Sequence, residues 1–141
     1  MKYTFLFPGQ GSQAVGMAKD IYDAFQTARN KMDLANKILG RDLLKIIFDG
    51  PEEDLKATQN TQPALFTVES AITDILVEKG KVPLFTAGHS LGEYSALYAA
   101  GILSFEDGLK LVAKRGELMA NAGKETPGTM AAVIGMDKAK I

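Results

Sequence analysis

The chain has 141 residues, 46% of them hydrophobic and 23% charged, with a formal net charge of −1. That is the composition of a globular domain with a real core, and it excludes disorder and a basic footprint for nucleic acid or an anionic membrane. The absence of cysteine excludes a disulfide framework and thiolate metal sites and suits a reducing cytoplasm, while a single histidine, His89, leaves no transition-metal constellation.

Met1 to Pro8 carries one positive charge and an apolar run too short for a signal peptide. No later stretch approaches the roughly 18 apolar residues that cross a bilayer. The chain is therefore expected to be soluble and unexported. Tyr3 to Phe7 reads as a strand entering the turn Pro8-Gly9, and its nearly unbroken apolar run predicts cover on both faces. From Val15 to Leu39 the spacing is helical, with Gly40 as the stop. Asp42 is positioned to cap a short helix through Leu43, Leu44, Ile46 and Ile47, closed by Asp49-Gly50-Pro51.

Glu52-Glu53-Asp54 follow Pro51 at a helix start, where solvation and the helix dipole account for them. Thr61-Gln62-Pro63 places proline in the first turn of a helix running from Ala64 to Val77. Val82 to Ala87 is a second buried-type strand, leading into Gly88-His89-Ser90-Leu91-Gly92 and a small-residue helix that ends at Gly101. Ser104 with Asp107 resembles a capping box opening a helix from Phe105 to Ala122. Thr126-Pro127-Gly128 is a loop, Met130 to Ile134 a third strand, and Asp137 the cap of a final helical turn. Strands alternating with long helices predict an α/β layer structure with a parallel sheet.

Gly88-x-Ser90-x-Gly92 between a strand and a helix is the nucleophile-elbow pattern. A sharp strand-to-helix turn projects the serine hydroxyl from the end of the sheet, and glycines are needed where side chains would strike the neighbouring strand and helix. The helix start offers free N–H groups and a positive dipole end to a developing oxyanion, with the Leu91 N–H as the natural first donor. The competing explanation is a serine capping an ordinary helix; the strand before and the helix after favour the nucleophile. His89 points away from its neighbour on so tight a turn, so it is expected to be structural or to line the site.

Arg115 falls on the apolar arc of its helix, between Leu111 and Met119 and away from the other charges. A guanidinium there is costly unless an anion meets it. It could bind a substrate anion, or it could snorkel from the stripe edge or pair with a carboxylate such as Glu93. Gly9-Gln10-Gly11 also matches the start of a dinucleotide fingerprint, but no second strand ending in an acidic residue follows, because Lys31 to Leu39 is helical.

Four blocks together carry a resemblance: Phe7-Pro8-Gly9-Gln10-Gly11-Ser12-Gln13; Asn60-Thr61-Gln62-Pro63-Ala64; Gly88 to Leu97; and Arg115-Gly116-Glu117-Leu118-Met119. In order and spacing they resemble the malonyl-CoA:acyl-carrier-protein transacylases. The resemblance implies an α/β-hydrolase-like large subdomain, here residues 1–125, and the start of a ferredoxin-like small subdomain at 126–141. It implies Ser90 as the nucleophile that takes malonyl from coenzyme A and yields it to the thiol of acyl carrier protein. It also implies an oxyanion hole at the N–H groups of Gln10 and Leu91, a carboxylate partner in Arg115, and site-lining roles for Gln62 and His89. No cofactor is implied.

The family's catalytic histidine lies in a later block, and no histidine follows Ser90 here. The chain is thus expected to be an N-terminal portion that is inactive by itself. A serine hydrolase on the same elbow, a polyketide synthase acyltransferase domain and a non-catalytic fragment are the alternatives.

Overall fold

The computed structural model describes residues 2–125 and 133–140. Two short parallel strands, β1 (Tyr3–Phe7) and β2 (Pro83–Gly88), lie in the register Phe5↔Thr86, Leu6↔Ala87, Phe7↔Gly88. A parallel pair needs a long crossover. Here it is five helices: α1 (Lys19–Ala24), α2 (Gln26–Leu39), α3 (Leu43–Asp49), α4 (Glu52–Lys56) and α5 (Thr58–Glu78). After β2 come α6 (Gly92–Ala99) and α7 (Phe105–Glu125), then a single 3-10 turn at Lys138–Lys140.

α5 is the axis. Every residue from Thr61 to Ala71 is buried, so the helix is enclosed all round. One apolar cluster gathers Met32, Leu43, Ile47, Leu55, Val68 and Ile75 with α2, α3 and α4. The other gathers Leu65, Phe66, Leu91, Phe105, Leu109 and Val112 with α6 and α7. Phe66 stacks on Phe105 at 5.8 Å between ring centroids, and burying such a ring contributes about 1.5–3 kcal/mol.

Several sequence expectations meet their counterparts. Asp42 caps α3 through the Lys45 N–H at 3.1 Å, Gly40 ends α2 in the left-handed region, and Ser104 accepts from the Asp107 N–H at 3.0 Å ahead of α7. Others need correction. The helix expected from Val15 to Leu39 is two helices. Residues 15–18 form turns with Gly16 and Ala18 at positive φ, and Phe25 is extended between α1 and α2. Arg29 satisfies carbonyls left open at that break, donating to Tyr22 O and Asp23 O.

The helix expected from Ala64 starts six residues earlier, at Thr58, which puts Pro63 inside α5. Proline has no N–H to give the Gln59 carbonyl, and Arg41 donates to that oxygen at 3.1 Å instead. The strands are not covered on both faces. Leu84 and Phe85 are adjacent and so point to opposite faces, yet both are more than half exposed, as is Leu6. α6 packs on both strands, but it does not close either face of β2 among the described residues.

For the third strand expected from Met130 to Ile134, residues 130–132 lie outside the described residues, and Val133 and Ile134 are not in a strand. Residues 126–128 of the expected loop also lie outside them. Asp137 is followed by the 3-10 turn rather than by an α-helix. Among the described residues no helix is long and apolar enough to cross a membrane.

Candidate active site

The parallel register sets the ends of β1 and β2 side by side, so the loops leaving both strands meet at one edge, where sites of parallel sheets form. The His89 N–H donates to Phe7 O at 3.0 Å and ties the two loops together. A Cβ on Gly92 would stand 2.3 Å from Phe7 O, and one on Gly88 would stand 2.0 Å from the backbone of Gly92. Both positions are closed to any side chain. Between them Ser90 adopts φ 55°, the left-handed region that costs a non-glycine residue on the order of 1–3 kcal/mol. The turn is held by Gly92 N–H to His89 O and Glu93 N–H to Ser90 O, and the Leu91 side chain anchors it in the core.

Among the described residues the exposed Ser90 hydroxyl bonds to one side chain, Arg115 on α7, whose Nη2 donates to Ser90 Oγ at 3.1 Å. Arg115 Nη1 donates to Gln62 Oε1 at 2.6 Å, and its guanidinium carbon lies 5.6 Å from the centre of the Tyr94 ring, within cation–π range. Among the described residues no carboxylate pairs with Arg115; Glu93, the partner considered for it, is exposed and does not reach it. The guanidinium is therefore a half-buried cation held by neutral groups beside a hydroxyl.

Gln62 is fully buried and its amide orientation is fixed from both ends. Its oxygen faces a guanidinium, which can only donate. Its Nε2 donates to Thr58 Oγ1 at 2.8 Å and to Met119 Sδ at 3.2 Å. Thr58 Oγ1 in turn donates to Gln10 Oε1 at 2.9 Å. A continuous chain of hydrogen bonds thus runs Gln10, Thr58, Gln62, Arg115, Ser90, joining the β1 loop, α5, α7 and the elbow.

Of the residues singled out in the sequence, Ser90, Arg115, Gln62 and the Gln10 side chain are brought together. The N–H groups of Gln10 and Leu91 donate to no protein acceptor among the described residues. His89 is exposed beside Gly9 and makes no hydrogen bond to Ser90 Oγ. Thr58, Tyr94 and Met119 were not singled out. The i, i+4 pairs Thr58–Gln62 and Arg115–Met119 were the available signal, but only on the assumption that α5 and α7 face each other. They do so closely: a Cβ on Gly116 would stand 2.7 Å from Thr58 O. Among the described residues no cluster of side chains could hold a metal ion.

The site thus combines the Gly-x-Ser-x-Gly turn between a strand and a helix with a cation hydrogen-bonded to the serine hydroxyl. The family model described as acyl transferase domain matches residues 4–140, and the chain belongs to that family. It is 51% identical over 136 residues to the malonyl CoA-acyl carrier protein transacylase of Bacillus subtilis (strain 168), covering 96% of this chain and 43% of the relative. It is 50% identical over 140 residues to the polyketide biosynthesis protein ThaF of Burkholderia thailandensis, covering 99% and 12%.

Among solved structures it resembles an acyl carrier protein S-malonyltransferase from Vibrio cholerae, with TM-score 0.82 and 46% identity over 86% of this chain and 40% of that one. The PlMCAT:AntF complex, a type II PKS acyl-carrier protein with its malonyl-transacylase, matches with the same TM-score, identity and coverage. The chain spans less than half the length of each of these relatives.

Proposed function

We propose that the chain forms the nucleophile and acyl-recognition part of an acyltransferase that moves malonyl from coenzyme A to the phosphopantetheine thiol of acyl carrier protein, in fatty acid biosynthesis. The observation that carries this reading is the Arg115 guanidinium 3.1 Å from Ser90 Oγ with no carboxylate partner among the described residues. Ser90 Oγ attacks the thioester carbonyl, its proton passes to a general base, the C–S bond breaks, and coenzyme A leaves as the thiol. The seryl malonyl ester then meets the carrier thiol, which takes the acyl group and regenerates the hydroxyl. The N–H groups of Leu91 and Gln10 serve the oxyanion, and Arg115 clamps the malonyl carboxylate with Gln62 as its fixed neighbour. His89 lines the entrance.

The single histidine of the sequence does not engage Ser90, so the base comes from outside these residues, and the chain alone turns over negligibly. Residues 1–125 belong to an α/β-hydrolase-like large subdomain. The similarity to a polyketide biosynthesis protein supports a polyketide role for the same chemistry. A plain serine hydrolase has no use for the Arg115 clamp. Intact mass after incubation of the acyltransferase domain containing this chain with malonyl-CoA tests the reading. One malonyl adduct is expected, absent in Ser90→Ala and cleared by carrier protein; an adduct that survives Ser90→Ala refutes it.

A further inference from the structure

Glu69 lies seven residues after Gln62 on α5, two turns along the same face. It is 8% exposed, and its Oε2 accepts a short hydrogen bond from the Ser95 hydroxyl on α6, a residue with no exposed surface. Its Oε1 has no partner among the described residues. Glu69 also lines an apolar cleft of about 480 Å³ beside β1. One face of α5 therefore grips both halves of the site: Gln62 holds Arg115, and Glu69 holds the helix that begins at the elbow.

We infer that Glu69 is a positioning residue for the nucleophile turn: by accepting the Ser95 hydroxyl it fixes α6 against α5, and with α6 the Ser90–Leu91 turn at its start. The inference rests on Ser90 being the acylated residue. Ser95 stands one turn after Leu91, and a serine inside a helix can donate either outward or back to the carbonyl four residues earlier. A carboxylate at Glu69 can only accept, so it draws the hydroxyl outward. A protonated carboxyl can donate to Ser95 Oγ, which frees the hydroxyl to turn to the Leu91 carbonyl, a bond that bends helices. Two arrangements of α6 follow, and they differ at the residue whose N–H faces the reacting acyl oxygen.

The surroundings bring this choice into the working range of pH. Thr4 and Phe7 from β1, Ile21 from α1, and Val68 and Ile72 from α5 share the cleft with Glu69, and none ionises. On α6, Glu93 is exposed, Tyr94 lies against Arg115, and Tyr98 is bonded to Asp74 and Lys31. With no cation beside it among the described residues to offset burial, the carboxyl is pushed up to about 7, the Ser95 bond opposing the rise. Because the folded value lies above the unfolded one, this group contributes stability that is complete in acid and is lost as pH rises towards 7. Glu69→Gln in the 141-residue chain should therefore raise Tm at about pH 8 relative to wild type and leave it unchanged near pH 4.

The decisive test follows acylation by malonyl-CoA across about pH 5 to 9 in the acyltransferase domain containing this chain. Ser95→Ala should slow acylation on the order of ten- to a hundredfold with little change in KM. Glu69→Gln, whose amide oxygen accepts at every pH, should keep most of the wild-type rate at high pH and lose the wild-type decline below pH 7 that belongs to Glu69. The double variant should be no slower than Ser95→Ala alone. Ser95→Ala acylating at the wild-type rate, or Glu69→Gln titrating as wild type does, overturns the inference. Malonylation that persists in Ser90→Ala overturns the underlying reading instead, and it does so whatever the Glu69 variants do.

Discussion

On the proposed function, Arg115 is the side chain that carries selectivity. Its planar fork offers five donors, of which Gln62 and Ser90 engage two nitrogens in the resting site. A malonyl group brings a carboxylate to that fork and an acetyl group does not. On the proposed function, Arg115→Ala should depress malonyl transfer about tenfold to a hundredfold more than acetyl transfer, the worth of a charge-assisted pair. Parallel transfer assays with the two thioesters check this, and equal losses would remove Arg115 from substrate recognition. The residue stood out in the sequence because a charge sat on an apolar arc. Its partner did not, since two residues 53 positions apart on different helices must first be known to touch.

At the level of elements, the site depends on how closely α5 and α7 approach. Gly116 has no room for a methyl group, since the obstacles are backbone, Thr58 O at 2.7 Å and Gln59 Cα at 2.9 Å. Gly116→Ala should therefore spread the helices at the level of Gln62 and Arg115 and cost about 1–3 kcal/mol, read as a lowered Tm in thermal unfolding. A variant as stable as the parent would mean that the two helices part freely. Element existence was legible where local chemistry decides it: the cap at Asp42, the stop at Gly40, the glycines around Ser90. The break at Phe25 was not, because Ile21, Phe25, Ala28 and Met32 keep helical spacing straight through it. Nor was the start of α5, since proline usually marks a first turn and here a guanidinium from Arg41 makes an interior position tolerable.

For the molecule as a whole, the two-stranded sheet is the least enclosed part. Leu6 is 74% exposed and Phe85 66%, large apolar side chains on a strand pair with no further strand beside it among the described residues. Exposed apolar area of this kind binds hydrophobic dyes. The 141-residue chain should enhance 8-anilinonaphthalene-1-sulfonate fluorescence while fully folded, and Leu84→Thr with Phe85→Thr should reduce the signal without changing far-UV circular dichroism. An unchanged signal would locate the dye elsewhere. The sequence suggested strands buried on both sides because apolar runs report a preference for cover; they cannot say which chain supplies it.

The neutral ring around Arg115 has one more consequence. A carbonyl oxygen, a hydroxyl and an aromatic face cradle the charge without cancelling it, so no negative charge balances it among the described residues. An uncharged acyl group entering there would leave that shortfall in place and cut the cation off from water as well. On the proposed function, discrimination against an uncharged acyl group is then built into the cradle itself, before any contact with a carboxylate is made.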